Sequence, residues 1–209
     1  MINVVVVEDN DTIREGLEIL IDGAEGFTCL GAFPDCEKMI KNINSLNPDV
    51  LLIDLQLPGI SGIEGIKRVK VLIPDLKIII LTVYNENDLI FDALCAGAIG
   101  YITKNAPPSK LLYAIRDAYN GCTPMSSNIA RKVIGLFQQK GLSGNNNDGN
   151  NIRLTQREIE ILSRLVEGSS FKAIADSLLI SLDNLRSDFK NIYEKLHIYY
   201  RSENSMENN

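Results

Sequence analysis

Glu8 and Asp9 stand directly after the apolar run Ile2–Val7, Asp54 closes the run Val50–Ile53, Thr82 sits near the end of Lys77–Val83, and Lys104 follows Ile99–Ile102. Three carboxylates brought to one point without a cation repel one another and raise one pKa, whereas a hard divalent ion that keeps some of its waters relieves the repulsion. Mg2+ suits such a donor set. A cation there also screens an incoming phosphoryl oxygen from the Asp54 carboxylate, which can then act as nucleophile and form an acyl phosphate. The Thr82 hydroxyl and the Lys104 ammonium are suited to hold phosphoryl oxygens. Taken singly, each residue has an ordinary reading: Glu8 and Asp9 cap the helix that begins near Asp11, Asp54 opens a turn before Pro58-Gly59, Thr82 is a strand residue and Lys104 a surface cation. Their joint placement after four different apolar runs is what points to a site.

That placement requires the runs to be strands of one sheet. Ile2–Val7, Phe27–Phe33, Val50–Ile53, Lys77–Val83 and Ile99–Ile102 read as strands, alternating with helical patterns near 11–22, 35–45, 61–72, 86–96 and 108–120, which makes five βα units. Runs such as Val4–Val7 and Ile78–Leu81 are apolar at every position, as in a parallel sheet covered by helices on both faces. Right-handed crossovers then give a doubly wound α/β sandwich. In such sheets the ligand lies outside the carboxyl ends of the strands, near the point where strand order reverses. Glu8, Asp9, Asp54, Thr82 and Lys104 all fall on that edge.

With 45% hydrophobic and 23% charged residues the 209-residue chain has a near-average globular composition, and no apolar run approaches the length of a membrane span. Ile2–Val7 reaches Glu8 and Asp9 too soon for a secretory h-region, so a cytoplasmic protein with no membrane partner is expected. Cys29, Cys36, Cys95 and Cys122 are separated by 7, 59 and 27 positions; no CxxC motif can be written, and reduced core cysteines are expected. His197 is the only histidine, which excludes catalysis by His pairs and His-rich metal ligation within one chain. Residues 1–120 carry 10 Lys/Arg against 17 Asp/Glu and residues 151–209 carry 8 against 9, so a strongly basic nucleic-acid footprint is missing. The Asn/Gly-rich segment 141–151 has too few apolar groups to offset the entropy of ordering and reads as a flexible tether. The expected division is a domain at 1–120, a linker at 121–151 with a helix at 126–139, and a second domain at 152–209.

The strand-end residues belong to a fuller pattern: Val-Val-Glu8-Asp9-Asn, Leu-Leu-Ile-Asp54-Leu-Gln-Leu-Pro58-Gly59-Ile-Ser-Gly62, Ile-Leu-Thr82, and Gly97-Ala98-Ile-Gly100-Tyr101-Ile-Thr-Lys104. Over about 1–120 this resembles the receiver domain of bacterial response regulators. The resemblance implies a five-stranded sheet of order 2-1-3-4-5, Asp54 as phosphoacceptor, and Thr82 and Lys104 as phosphoryl contacts. It also implies Mg2+ held by Glu8, Asp9, Asp54 and the Gln56 backbone carbonyl, with Tyr101 as the switch partner of Thr82. A phosphoryl group that recruits the Thr82 hydroxyl vacates space into which Tyr101 turns, so that local charge biases a bistable face. Asn105 replaces the proline often found after the lysine. Gln56 and Tyr84, each two positions after a site residue, are placed to guide or block water.

Downstream, Thr155 and Glu158 form a capping-box pattern that opens an amphipathic helix near 155–167, a short helix follows at 171–178, and Ser181 caps a third at 182–196 with Leu185, Phe189, Ile192 and Leu196 as its buried stripe. The motifs Leu154-Thr-x-Arg157-Glu158, Gly168, Lys172-x-Ile-Ala175 and Glu194-Lys195-Leu196 resemble the LuxR-type helix-turn-helix of NarL/FixJ regulators. In that reading 182–196 is the recognition helix in the major groove, with Lys172, Asn184, Arg186, Ser187 and Lys190 as DNA contacts. Where the family usually has Thr-Val-Lys-x-His, this chain has Asn184-Leu185-Arg186-Ser187-Asp188. A carboxylate at 188 opposes a phosphate backbone, and Arg186, Lys190 and Lys195 are matched by Asp183, Asp188 and Glu194, so weak binding by a monomer is expected. A fourth helix, which relatives carry after the position of Arg201, is expected to be truncated.

The two resemblances together imply a two-component response regulator rather than an enzyme. A sensor histidine kinase phosphorylates Asp54, the receiver forms a homodimer, and the second domain binds promoter DNA. The alternative is a phosphorylation-gated protein-interaction module with a weakened helix-turn-helix, suggested by Asp188 and the short C-terminus. A phosphohydrolase with a strand-end aspartate fits less well: its nucleophile normally follows the first strand with a second Asp two positions on, whereas Asp54 follows the third and is succeeded by Gln56.

Overall fold

Valine and isoleucine suit a pleated surface packed on both sides, and the runs that carry them form strands buried almost throughout. In the computed structural model, which describes residues 1–83, 87–121, 125–142 and 153–206, Val4–Val7, Val50–Ile53 and Ile78–Ile80 have no solvent exposure. The elements alternate as β1 (Ile2–Val7), α1 (Asp11–Asp22), β2 (Phe27–Phe33), α2 (Cys36–Leu46), β3 (Val50–Asp54), α3 (Gly62–Leu72), β4 (Lys77–Thr82), α4 (Asn87–Ala96), β5 (Gly100–Thr103) and α5 (Pro108–Tyr119). The sheet is all-parallel, in the order β2-β1-β3-β4-β5. Successive side chains of a strand point to opposite faces. Val4, Val6, Val50, Leu52, Ile79 and Leu81 accordingly share one cluster with Ile21 of α1 and Leu111, Ile115 and Ala118 of α5. Burying each such aliphatic side chain contributes roughly 1.5–3 kcal/mol.

Strand order reverses between β1 and β3. Val7 pairs with Ile53 and Asp54 with Leu81, so β1, β3 and β4 end nearly level and the residues after them share one edge. The first three crossing helices start on side-chain caps: Asn10 accepts from Ile13 N, Asp35 from Lys38 N and Ser61 from Glu64 N, satisfying amides that a helix leaves open.

Contacts divide the chain into two compact units, Met1–Thr123 and Pro124–Asn209. The second unit is all helical, with α6 (Ser127–Leu142), α7 (Gln156–Val166), α8 (Phe171–Ser177) and α9 (Leu182–Met206). The capping box opens α7 as the sequence requires: Thr155 Oγ1 accepts from Glu158 N at 3.2 Å and Glu158 accepts from Thr155 N at 2.6 Å. Phe189 of α9 is fully buried and stacks on Phe171 of α8 at 4.6 Å between centroids.

Two features depart from the sequence reading. The helix expected at 126–139 as part of a linker spans Ser127–Leu142 and belongs to the second unit. Its Ile129, Ala130 and Val133 are fully buried, and Ser127 Oγ donates to the Leu165 carbonyl at 2.7 Å. Residues 143–151 of the expected tether lie outside the described residues. The second departure is α9, a single 25-residue helix to Met206 rather than a helix ending at Leu196 with a truncated successor. No Gly or Pro interrupts 182–206, and Tyr199, beyond the expected end, meets the Phe137 ring of α6 at 5.6 Å. Among the described residues no helix is long and apolar enough to cross a membrane.

Candidate functional site

The edge shared by β1, β3, β4 and β5 gathers the residues that the strand ends carry. Glu8 follows β1 and is fully buried, Asp54 ends β3 with 5% exposure, and Asp9 remains exposed. Ligand oxygens of Glu8, Asp9 and Asp54 lie within 4.8 Å of one another. The Lys104 ammonium, delivered just past β5, is 2.6 Å from Glu8 Oε2 and 2.8 Å from Asp54 Oδ2. It is held in place by its own backbone, since Lys104 N donates to the Thr82 carbonyl at 2.7 Å. The Lys104–Asn105 peptide is trans, so Asn105 continues the chain without the geometry a proline permits.

The electrostatics follow from burial and from this single cation. Loss of water pushes the Glu8 carboxyl above the usual carboxylate range, and the nearby Asp54 adds to it; the Lys104 bond and charge only partly offset them. For Lys104, burial pulls downward, but bonds to Asp54 and then Glu8 outweigh it and leave the ammonium more basic than a free lysine. Among the described residues Glu8 Oε2 meets no donor besides the Lys104 ammonium. A buried anionic oxygen with spare lone pairs beside two further carboxylates is a donor set that fits a hard oxygen-seeking dication.

Asp54 is also fixed from behind, by contacts that the motif reading did not assign. Gln56 N donates to Asp54 Oδ1 at 3.3 Å. Gly62 opens α3 against the strand end, with its amide bonded to the Leu55 carbonyl at 3.1 Å. A Cβ on Gly62 would stand 2.1 Å from the Asp54 carbonyl oxygen and 2.6 Å from Leu55 Cα. The intervening loop is clamped by Glu37 of α2, whose Oε1 accepts from Ile60 N at 3.1 Å beneath Gly59, a residue with φ +73°. Arg14 of α1 ties down the other side, donating to the carbonyls of Glu8 at 2.9 Å and Asp9 at 3.2 Å. Gly62 carried one visible signal: glycine in the first turn of a helix is a poor helix former and implies a close approach.

Thr82 ends β4 with 9% exposure, and Tyr101 of β5 is partly buried. Tyr101 pairs in register with Ile80, two residues before Thr82, so both side chains leave the same face of the sheet. Tyr84 lies outside the described residues. In the second unit Lys172 is exposed on α8; Asn184, Ser187 and Lys190 are exposed on α9, and Arg186 is partly exposed there. Asp188 does not face solvent as a lone anion, because Arg157 Nε and Nη2 donate to its Oδ2 at 2.9 and 2.6 Å. Glu158 is buried and bonded by Lys195 Nζ at 2.9 and 2.6 Å.

Residues 4–116 match the response regulator receiver domain, and residues 153–205 match the luxR family of bacterial regulatory proteins. The transcriptional regulatory protein LiaR of Bacillus subtilis is 30% identical over 97% of this chain and 94% of its own length. The response regulator UvrY of Escherichia coli K12 is 31% identical over 95% and 89%. Among solved structures, the Salmonella typhimurium RcsB response regulator has a TM-score of 0.56 at 27% identity and covers 93% of this chain and 91% of its own. The chain belongs to the response regulators that join a receiver to a LuxR-type DNA-binding domain, and it is a phosphorylation-controlled transcriptional regulator. The match through residue 205, over nearly all of α9, favours that function over an interaction module with a weakened helix-turn-helix.

Proposed function

We propose that this protein is cytoplasmic, that a sensor histidine kinase transfers its phosphoryl group to Asp54 and that the resulting state, as a homodimer, binds promoter DNA through α8 and α9. The observation that carries this reading is the Lys104 ammonium within 2.8 Å of carboxylates from two other strand ends. The Asp54 carboxylate attacks phosphorus, the bond to the kinase imidazole nitrogen breaks, and the phosphoryl group remains as an acyl phosphate. Gln56 N and Lys104 hold the Asp54 oxygens and orient the nucleophile. Glu8, Asp9, Asp54 and the Gln56 carbonyl would hold Mg2+, which would supply charge neutralisation for the phosphoryl oxygens. Lys104 and the Thr82 hydroxyl then bind phosphoryl oxygens, and withdrawal of Thr82 toward the edge makes room for Tyr101 on the same face. The paired Glu8 and Asp54 thus lose part of Lys104, which couples phosphorylation to the packing around β4 and β5.

In the second unit Lys172, Asn184, Arg186, Ser187 and Lys190 are the proposed DNA contacts. Arg186 is bonded to Asp183 at 2.8 Å and Lys190 is 3.8 Å from Glu194; both are exposed pairs one helical turn apart, which phosphates displace at little cost. Intact mass after incubation with acetyl phosphate and Mg2+ tests the receiver. One phosphoryl adduct is expected for the native chain and none for Asp54→Ala, with a dimer shift on size exclusion for the native chain alone. An adduct that survives Asp54→Ala refutes the assignment. A gel shift on genomic fragments with and without the phosphodonor tests the output, and absence of sequence-specific binding in both states refutes it.

A further inference from the structure

The carboxylate of Asp188 lies one turn after Asn184 and beside Ser187, amid the proposed DNA contacts, where a bare negative charge repels phosphates. It differs from Asp183 and Glu194 of the same helix. Asp183 and Glu194 pair with cations of α9 itself, and their side chains are 86% and 56% exposed. Asp188 is only 16% exposed, and its partner Arg157 comes from the first turn of α7. Both guanidinium donors converge on Oδ2, and the neighbouring Glu158 grips Lys195 on the same helix, so α7 is staked to α9 at two points seven residues, or about two turns, apart.

We infer that Arg157 is a positioning residue of the DNA-binding face: it neutralises Asp188 and holds that carboxylate against α7, so that Asn184, Arg186, Ser187 and Lys190 can approach phosphates without an uncompensated anion among them. The inference rests on the DNA-binding reading above and deepens it. The pair leaves Arg186 and Lys190 to carry the favourable charge, and Arg157 itself contacts no phosphate. Arg157 is 48% exposed but Asp188 only 16%, so losing Arg157 alone also costs some stability, and the double variant, which removes the stranded charge, separates the effect on DNA affinity from the effect on folding.

The test uses the full phosphodonor-treated chain and a fluorescent mixed-sequence DNA duplex at low salt, where phosphate electrostatics govern binding. Wild type, Arg157→Ala, Asp188→Asn and the double variant are titrated by anisotropy across a salt series, with circular dichroism melts of each. Arg157→Ala is expected to weaken binding by on the order of tenfold, since a like charge is left at the interface. Asp188→Asn binds at least as tightly as wild type, and adding it to Arg157→Ala restores affinity to within about threefold of Asp188→Asn alone, with the same salt slope and unchanged melts. If the double variant stays as weak as Arg157→Ala and its salt slope falls by about 0.9, Arg157 is itself a phosphate contact and the inference is wrong. Equal affinity of all four variants also overturns it. A wild type that does not bind the duplex even at low salt overturns the DNA-binding reading and this inference together.

Discussion

A single methyl group at Gly62 should disable the receiver from a position that supplies no ligand to phosphate or metal. The added Cβ would stand 2.1 Å from the Asp54 carbonyl oxygen, 2.6 Å from Leu55 Cα and 2.9 Å from the Asp54 carbonyl carbon. All three neighbours are backbone, so no side chain can swing aside, and either α3 or the end of β3 must move by roughly 1 Å to reach a normal contact distance. Overpacking of this kind costs typically 1–3 kcal/mol, and a displacement of about 1 Å at a reacting group costs on the order of a hundredfold in rate. Gly62→Ala is therefore expected to lower the receiver melting temperature by roughly 5–10 °C and to slow acetyl-phosphate labelling of Asp54 about a hundredfold. Gly16, exposed in the middle of α1, is the matched control, because a Cβ there meets nothing within 4 Å. Gly16→Ala removes the helix penalty of glycine and should raise stability by about 0.5–1 kcal/mol without altering labelling. Differential scanning calorimetry and intact-mass labelling kinetics report both. Wild-type melting and labelling in Gly62→Ala would refute the claim that the α3 start holds Asp54 in place.

Burial pushes the thiols of Cys36 and Cys95 up to about 12 and that of Cys29 to about 11, so at pH 8 the thiolate fraction of each is roughly a hundredfold or more below that of a free cysteine. Iodoacetamide mapping should find these three slow in the folded chain and fast in denaturant; fast alkylation of the folded chain at pH 8 would contradict the assigned burial. A raised folded pKa means the folded state holds its proton more tightly, so this contribution to stability is complete below the ordinary value of 9.0 and is lost as pH rises toward 11–12. Ile129→Ala in α6 should destabilise the second unit by about 2–5 kcal/mol and leave the receiver transition unmoved, as read by calorimetry of the full chain. Lys195→Met strands the buried Glu158 carboxylate beside α9 and should cost about 3 kcal/mol or more in the same unit, whereas Lys195→Met with Glu158→Gln recovers part of that loss.

The strand-end chemistry was legible because it depends on local order alone: an apolar run fixes a strand, parallel strands end on one edge, and Glu8, Asp9, Asp54, Thr82 and Lys104 need only follow their runs to meet there. The supporting residues were less legible for the opposite reason. Arg14, Glu37 and Gly62 act through backbone carbonyls, amides or bare space, and Glu37 lies 23 residues from the Ile60 amide it holds. Nothing in residue type alone marks an arginine that binds carbonyls apart from one on the surface. The same limit explains α6. Its apolar positions fix a helix but not the partner that buries Ile129 and Val133, and the proximity of the Asn/Gly-rich segment suggested a linker where the contacts place a piece of the second unit.

Asp188 shows how a charge count along one helix misleads. Counted on the sequence, α9 has no net positive charge and looks ill suited to DNA, but electrostatic affinity depends on which charges remain free to meet phosphates. The carboxylates at 183, 188 and 194 each have a cation within 3.8 Å. Two of those cations belong to the helix and can be transferred to DNA in exchange for exposed carboxylates that gain water in return. The third, Arg157, comes from another helix and adds to the count a charge that reading α9 alone leaves out. Glu158 of that same helix takes up Lys195 in turn, so the charge offered to DNA is set by which groups the pairs leave free rather than by a count along α9, and the Arg157 and Asp188 variants, combined, separate a helix-turn-helix that has lost its function from one that keeps it by pairing.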